Sequence, residues 1–179
     1  MKILAFSASN NSVSINKKLV TCVCSLYKEH NNPNVEVEII DLNDFEMPIY
    51  RPDREITCGI PKEAQIFYEK ISSADALIVS FAEYNGSYTA AYKNIFDWTS
   101  RINQKLYQDK PTILMATSPG KRGGANVLKT ASDAGPYFGM DVKGTFSMPE
   151  FQLNFNSKKN KITNPSIEEQ IKDILNNLV

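Results

Sequence analysis

Three continuous apolar runs recur along the chain and predict buried β-strands. They begin at Lys2 (KILAF), Ala76 (ALIVSF) and Thr112 (TILMAT), and turn-forming residues bound each of them. A further segment, residues 35–40 (VEVEII), alternates apolar and charged positions. Such alternation is typical of a half-covered strand, so we expect this segment at the edge of the sheet.

Apolar residues at three- and four-residue spacing lie between these runs and predict amphipathic helices. The periodic positions are Leu19, Val20, Val23, Leu26 and Tyr27 for a first helix, Ile66 and Ile71 for a second, Tyr88, Ala91, Tyr92, Ile95, Trp98 and Ile102 for a third, and Ile167, Ile171, Ile174, Leu175 and Leu178 for the last. A weaker helix is expected after Gly124. The polar, lysine-rich segment 154–164 is expected to be a mobile surface loop.

The alternation of strands and helices predicts an α/β fold, with a doubly wound parallel sheet and helices on both faces. The chain has 179 residues, 42% of them hydrophobic, which suits a single domain over residues 1–179. In such sheets, ligands bind beyond the carboxyl ends of the strands, where the strand order reverses. We therefore expect the ligand-binding residues in the loops after Phe6, Phe81 and Thr117.

Charge and cysteine content narrow the possible partners. Twenty basic and twenty acidic side chains cancel, so no electrostatic footprint for nucleic acid or an anionic membrane is present, and a small-molecule partner is favoured. Cys22, Cys24 and Cys58 are sparse and lack metal-ligand spacing, which predicts reduced thiols and no metal site. The first residues resemble no signal peptide, and no apolar stretch approaches the roughly 20 residues that span a bilayer, so a soluble cytoplasmic protein is predicted.

The first loop, residues 7–16 (SASNNSVSIN), carries hydroxyl or carboxamide side chains at seven of its ten positions. It lacks the glycine fingerprint of dinucleotide-binding folds and the Gly-Lys-Ser/Thr ending of a triphosphate loop. Two interpretations remain open. Ser14 caps the following helix, or the helix N-terminus holds an anion such as a phosphate monoester, with Ser9, Ser14 and Asn16 as neutral donors.

The second loop, residues 83–87 (EYNGS), separates a buried strand from the third helix. Gly86 permits a positive φ, so a sharp turn can aim backbone groups at the edge of a flat heterocycle. Tyr84 adds an aromatic surface, and Asn85 can both donate and accept hydrogen bonds. The alternative is a plain strand-to-helix turn in which Ser87 is the N-cap.

The third loop, residues 118–124 (SPGKRGG), contains three glycines that allow close approach of the backbone to a ligand. Lys121 and Arg122 could attract an anion there, or the segment is a solvated glycine turn. Each loop is weak evidence alone. All three loops follow strands and lie at the same predicted edge of the sheet, which favours one shared ligand.

The motifs occur in a characteristic order along the chain. They are Ser9-x-x-x-x-Ser14-x-Asn16, then Glu83-Tyr84-Asn85-Gly86-Ser87 with Lys93-Asn94-x-x-Asp97-Trp98, then Ser118-x-Gly120-x-x-Gly123-Gly124. This combination resembles the NADPH-dependent FMN reductase family of flavodoxin-like proteins, from the first strand to about residue 150. The resemblance implies a flavodoxin-like three-layer sandwich, FMN as cofactor, and NADPH or NADH as co-substrate.

Site residues carried over from the resemblance fall into three groups. The phosphate group would contact Ser9, Asn11, Ser14, Ile15 and Asn16, the isoalloxazine ring Ala82, Glu83, Tyr84, Asn85 and Gly86, and the pyrimidine end of the flavin Ser118, Gly120 and Gly123. Two positions depart from the family pattern. Asn11 stands where the family usually has arginine, and Ala82 where it has proline.

The activity that the resemblance implies is hydride transfer from NAD(P)H through bound FMN to a quinone, azo compound, nitroaromatic or free flavin. No protein nucleophile is then required, because the cofactor supplies the chemistry. Relatives associate through helices near the flavin, so a homodimer or homotetramer is expected, and Trp98 either belongs to the core or faces a second subunit. The alternatives are a flavodoxin-like electron carrier or a non-catalytic flavin-binding module. Electron carriers are usually strongly acidic, and this chain is neutral.

Overall fold

The structure is a computed structural model, and it describes residues 1–178. Its centre is a five-stranded parallel sheet in the order β2-β1-β3-β4-β5. The strands are β1 (Lys2–Ala8), β2 (Glu36–Ile40), β3 (Ala76–Phe81), β4 (Lys110–Thr117) and β5 (Met140–Met148). The strand order reverses between β1 and β3, which creates the switch point at which doubly wound sheets bind ligands.

Helices cover both faces of the sheet and complete the predicted three layers. They are α1 (Ile15–His30), α2 (Pro52–Cys58), α3 (Lys62–Ser72), α4 (Ala90–Thr99), α5 (Ala125–Ala134), α6 (Phe151–Asn154) and α7 (Pro165–Leu175), with short 3-10 helices at Leu42–Phe45 and Gly135–Phe138. No helix within residues 1–178 is both long and apolar enough to cross a membrane. The α/β doubly wound fold predicted from the sequence is confirmed.

The two faces of the sheet explain why its central strands read as continuous apolar runs. Successive residues of a strand point to opposite faces, so a strand covered on both sides buries every side chain. In β1, Leu4 and Phe6 join the core beneath α3 and α4, whereas Ile3 and Ala5 join the core beneath α1 and α7. The segment expected at an edge, β2, is indeed an edge strand, and within residues 1–178 it pairs only with β1.

Two parts of the sheet topology differ from the sequence-based prediction. Strand β5 was not predicted, and it forms the second edge of the sheet beside β4. Segment 154–164 is not a structureless loop, because β6 (Phe155–Asn156) and β7 (Lys161–Ile162) pair as an antiparallel hairpin. The hairpin buries Phe155 and Ile162 in the core.

The third predicted helix, α4, is shorter than its apolar pattern suggests, since Tyr88 precedes it and Ile102 follows it. Trp98 is fully buried, and its indole Nε1 donates a hydrogen bond to the Pro48 carbonyl oxygen at 2.7 Å. The core alternative for Trp98 is therefore correct, and it does not face a second subunit. Tyr92 is buried as well.

Candidate functional site

A cleft of about 260 Å³ opens at the carboxyl edge of the sheet, around the switch point. Its lining consists of Ser9, Asn11, Val13, Ser14, Ile15, Asn16, Ala82, Glu83, Tyr84, Thr117, Ser118 and Pro119. Nine of the thirteen residues assigned by resemblance are among them, so the three loops do converge. Val13, Thr117 and Pro119 were missed, although each is adjacent in sequence to an assigned residue or loop.

Ser14 shapes the floor of the cleft as the N-cap of α1. Its hydroxyl oxygen accepts a hydrogen bond from the Lys17 amide at 3.2 Å and lies 3.2 Å from the Ser7 hydroxyl. The capping interpretation is thus confirmed. The amides of Ile15 and Asn16 stand in the first turn, where helical geometry supplies no acceptor, and that turn contains no acidic residue. Capping and anion binding are therefore compatible, because the cap leaves these amides and the positive end of the helix available.

Asn11 determines the shape of the first loop. Its side-chain oxygen accepts a hydrogen bond from the Val13 amide at 3.0 Å, and its own amide donates to the Ser9 hydroxyl at 3.2 Å. This Asx turn is a common way for asparagine to fold a short loop. The Asn11 side chain is exposed at the mouth of the cleft, whereas Ser9 is only 5% exposed.

Asn16 joins α1 to the ends of two strands. Its amide nitrogen donates to the Thr117 carbonyl oxygen at 3.1 Å, and its oxygen accepts from the Ser80 hydroxyl at 2.8 Å and the Thr117 amide at 3.0 Å. The residue is 2% exposed. Its side chain therefore holds the helix N-terminus at the switch point, a function that the sequence analysis did not assign to it.

The second loop ends in a two-residue turn. Tyr84 and Ser87 exchange backbone hydrogen bonds of 3.0 and 3.1 Å, and the central Asn85 and Gly86 have φ values of 52° and 79°. A turn of this kind needs a positive φ at both central residues, and asparagine followed by glycine adopts that conformation readily. Neither central residue lines the cleft, whereas Tyr84 lies at its rim and is 48% exposed.

The N-cap of α4 is Thr89, so the alternative in which Ser87 caps this helix is wrong. The Thr89 hydroxyl oxygen accepts from the Tyr92 amide at 3.2 Å, and the hydroxyl donates to the Ala8 carbonyl oxygen at 3.0 Å. Thr89 thereby ties the start of α4 to the end of β1. This bond holds the first and second loops side by side.

The glycines of the third loop serve the scaffold rather than the lining of the cleft. A Cβ atom at Gly123 would lie 2.5 Å from the Ser147 hydroxyl oxygen, so only glycine allows this loop to approach the end of β5. The carbonyl of Gly120 accepts a hydrogen bond from the segment that follows β5. Gly120 and Gly123 are absent from the lining, as are the exposed Lys121 and Arg122.

Glu83 is the one charged residue among the cleft-lining residues of the described chain. Its carboxylate accepts a hydrogen bond from the Val127 amide, at 2.9 Å, in the first turn of α5. The nearest cation along the first helix, Lys17, forms an ion pair with Asp41, and this contact lowers the pKa of the Asp41 carboxyl. The part of the cleft formed by the start of α1 is therefore lined by neutral donors and a helix N-terminus.

The donor set of this cleft suits a phosphate monoester joined to a flat ring. Its lining combines the first turn of α1 and the hydroxyls of the first loop with residues 82–84 and 117–119, and the aromatic Tyr84 is half exposed at the rim. Flavodoxin, whose doubly wound sheet has the order 2-1-3-4-5, binds FMN at this switch point. Fold and site together define a flavodoxin-like mononucleotide-binding protein.

Comparison with known proteins gives the family. A sequence profile of the NADPH-dependent FMN reductases matches residues 1–153. The chain is 29% identical over 154 residues to an NADPH:quinone oxidoreductase of Arabidopsis thaliana, covering 86% of this chain and 74% of that protein. It is 31% identical over 125 residues to an NAD(P)H-dependent FMN reductase of Pseudomonas aeruginosa, covering 70% of this chain and 64% of that protein.

Among solved structures, FerB, a flavoenzyme NAD(P)H:(acceptor) oxidoreductase from Paracoccus denitrificans, matches with a TM-score of 0.75 and 21% identity, covering 99% of this chain and 96% of that chain. This match supports the fold. The chain belongs to the NADPH-dependent FMN reductase family and is an NAD(P)H-dependent oxidoreductase with FMN as cofactor. Membership of an enzyme family does not favour the electron-carrier alternative.

Proposed function

We propose that the cleft around the switch point holds FMN and that the enzyme passes reducing equivalents from NAD(P)H to a small acceptor of the quinone, azo, nitroaromatic or free-flavin type. The observation that carries the proposal is the convergence of three loops, far apart in sequence, on one cleft that also contains the N-terminus of α1. When bound, FMN accepts a hydride from NAD(P)H and gives electrons to the acceptor.

The phosphate would be held at the start of α1. The amides of Ile15 and Asn16 and the hydroxyls of Ser9 and Ser14 supply neutral donors, and the helix dipole adds a favourable field. Asn11 contributes by folding the loop through its bond to the Val13 amide. The phosphate site therefore depends more on backbone geometry than on side-chain charge.

The ring would lie between the second and third loops, against Ala82, Glu83, Tyr84 and Ser118. The other four assigned residues, Asn85, Gly86, Gly120 and Gly123, would act through the turns that they allow. Backbone groups of these loops orient the ring edge, and the exposed side of the cleft leaves one ring face open. NAD(P)H and the acceptor would use that open face in turn.

Assembly and location belong to the same proposal. We expect one FMN-binding domain over residues 1–179, a homodimer or homotetramer, and a cytoplasmic location. Val13, at the mouth of the cleft, is 73% exposed, and Ile49 and Ile56 are 78% and 86% exposed, which is consistent with apolar surface that associates. Light scattering coupled to size-exclusion chromatography measures the subunit number.

The first prediction is that the apoprotein binds one FMN per chain and binds riboflavin more weakly. Riboflavin lacks the phosphate, so it loses the hydrogen bonds to the first turn of α1. A titration followed by flavin fluorescence measures both affinities. Anaerobic NADPH should then bleach the bound FMN. Absence of saturable binding at micromolar concentrations, or a flavin that stays yellow, would contradict the proposed function.

A further inference from the structure

Glu83 lies where the two loops that flank the proposed ring site meet. We infer that Glu83 is a positioning residue, which fixes the second loop to the start of α5 and balances its own negative charge against that helix N-terminus. The inference rests on the proposed function, because it concerns the cleft assigned to FMN. The hydrogen bond between Glu83 and α5 does not depend on any cofactor and can be measured in the apoprotein.

Helix α5 has no cap of its own. Its N-cap is Gly124, with a φ of 79°, and neither a side-chain cap nor an acidic residue is present in its first turn. The Glu83 carboxylate, which belongs to a different loop, supplies the missing cap. It accepts a hydrogen bond from the Val127 amide at 2.9 Å. A carboxylate at a helix N-terminus is stabilising both as an acceptor and through the helix dipole.

Close packing around Gly124 brings the second loop within reach of α5. A Cβ atom at Gly124 would lie 3.0 Å from the Ala116 Cβ and 3.8 Å from the Glu83 Cβ. The tip of the second loop approaches the same helix, since a Cβ atom at Gly86 would lie 3.7 Å from the Asn126 side-chain nitrogen. The hydrogen bond between the Glu83 carboxylate and the Val127 amide adds to these contacts.

The hydrogen bond of Glu83 affects the position of the cleft lining, because Glu83 stands between Ala82 and Tyr84, and both of these residues line the cleft. Just after the second loop, Thr89 already joins the start of α4 to the end of β1. With Glu83, the loop is held on both sides, and the separation of the two walls of the cleft is set before any ligand enters. Preorganisation of this kind lowers the cost of binding.

The charge of Glu83 has a second consequence. It is the one charged group lining the cleft within residues 1–178, and a free carboxylate there would oppose the addition of electrons to a nearby ring. The positive end of α5 offsets that charge. Removing the charge while keeping the hydrogen bond should therefore shift the midpoint potential of bound FMN to a more positive value.

Three variants separate the two effects. Glu83→Gln keeps an oxygen acceptor for the Val127 amide but removes the charge, and Glu83→Ala removes both. Asn164→Ala is the matched control, because the Asn164 side chain caps α7 by accepting from the Ser166 amide at 3.1 Å and does not line the cleft. Circular dichroism establishes that each variant is folded.

In the apoprotein, hydrogen exchange of the Val127 amide should accelerate in Glu83→Ala and stay slow in Glu83→Gln. In the FMN titration, Glu83→Ala should bind about tenfold more weakly, whereas Glu83→Gln should stay within about threefold of the natural protein and Asn164→Ala should match it. The midpoint potential of FMN bound to Glu83→Gln should also be more positive than that of FMN bound to the natural protein.

Unchanged exchange and unchanged affinity in Glu83→Ala would overturn the positioning role. So would a Glu83→Gln variant as weak as Glu83→Ala, because the amide oxygen would then fail to replace the carboxylate. An unchanged midpoint potential of FMN bound to Glu83→Gln would contradict the inferred effect of the Glu83 charge. Failure of the natural protein to bind FMN would contradict the proposed function instead, and the exchange experiment would still test the bond.

Discussion

Asn11 stands where the family resemblance predicts an arginine, and the structure shows what the asparagine does there. It folds the first loop through its bond to the Val13 amide, and its side chain is exposed at the cleft mouth. No cationic side chain lines the cleft within the described residues. An arginine at this position would add a charge that the phosphate side lacks.

The second prediction is that Asn11→Arg tightens FMN binding. A charge-assisted hydrogen bond contributes about 1.5–3 kcal/mol, which corresponds to at least about tenfold in affinity. The gain should shrink at high salt, because the added contact is electrostatic. Asn11→Ala is the control, since it removes the Asx turn without adding charge. Equal or weaker binding by the arginine variant, with the alanine variant unchanged, would indicate that a cation at this position does not reach the phosphate.

At the scale of elements, α4 anchors the irregular chain between β2 and α2. The Asn94 side chain accepts from the Tyr50 amide at 2.8 Å and donates to the Met47 carbonyl oxygen at 3.0 Å. Trp98, one turn later, donates to Pro48, and the Tyr50 ring packs edge-on against it at 4.9 Å between centroids. This part of the family motif is therefore structural.

The third prediction follows from that anchor: Asn94→Ala should destabilise the apoprotein by about 1–3 kcal/mol, because it leaves several backbone groups without their partner. Lys93→Ala is the neighbouring control. It breaks an exposed i,i+4 ion pair with Asp97, and such pairs contribute about 0.3–0.5 kcal/mol. Urea unfolding measures both, and neither residue lines the cleft. Equal losses in the two variants would show that Asn94 does not anchor the segment.

At the scale of the whole molecule, the first, second and third loops form one cleft, so the fourth prediction concerns how two substrates share it. We expect ping-pong kinetics, in which NAD(P)H gives up its hydride and leaves as NAD(P)+ before a quinone or azo dye binds. Steady-state rates at several fixed acceptor concentrations should give parallel double-reciprocal lines. Intersecting lines would require both substrates to bind at once and would exclude the shared face.

Much of this architecture is determined by local sequence. Strands buried on both faces are predominantly apolar, so β1, β3 and β4 are visible as nearly continuous apolar runs. Ser14 is visible as a cap because capping is a local interaction. Parallel strands place their carboxyl ends at one edge. The meeting of the three loops therefore followed from the predicted fold class.

Only the tertiary structure decided the features that depend on contacts between distant residues. Among the described residues, strand β5 pairs with β4 alone, and it mixes polar with apolar positions, so its sequence carries no continuous apolar run. Asn16 and Thr117 are 101 positions apart, and Glu83 and Val127 are 44 apart, and neither bond has a local signature. Gly123 is required by the close approach of its loop to the end of β5. Long-range packing fixes these roles, because the same residue types serve equally well as caps, turns or ligand contacts until their neighbours are known.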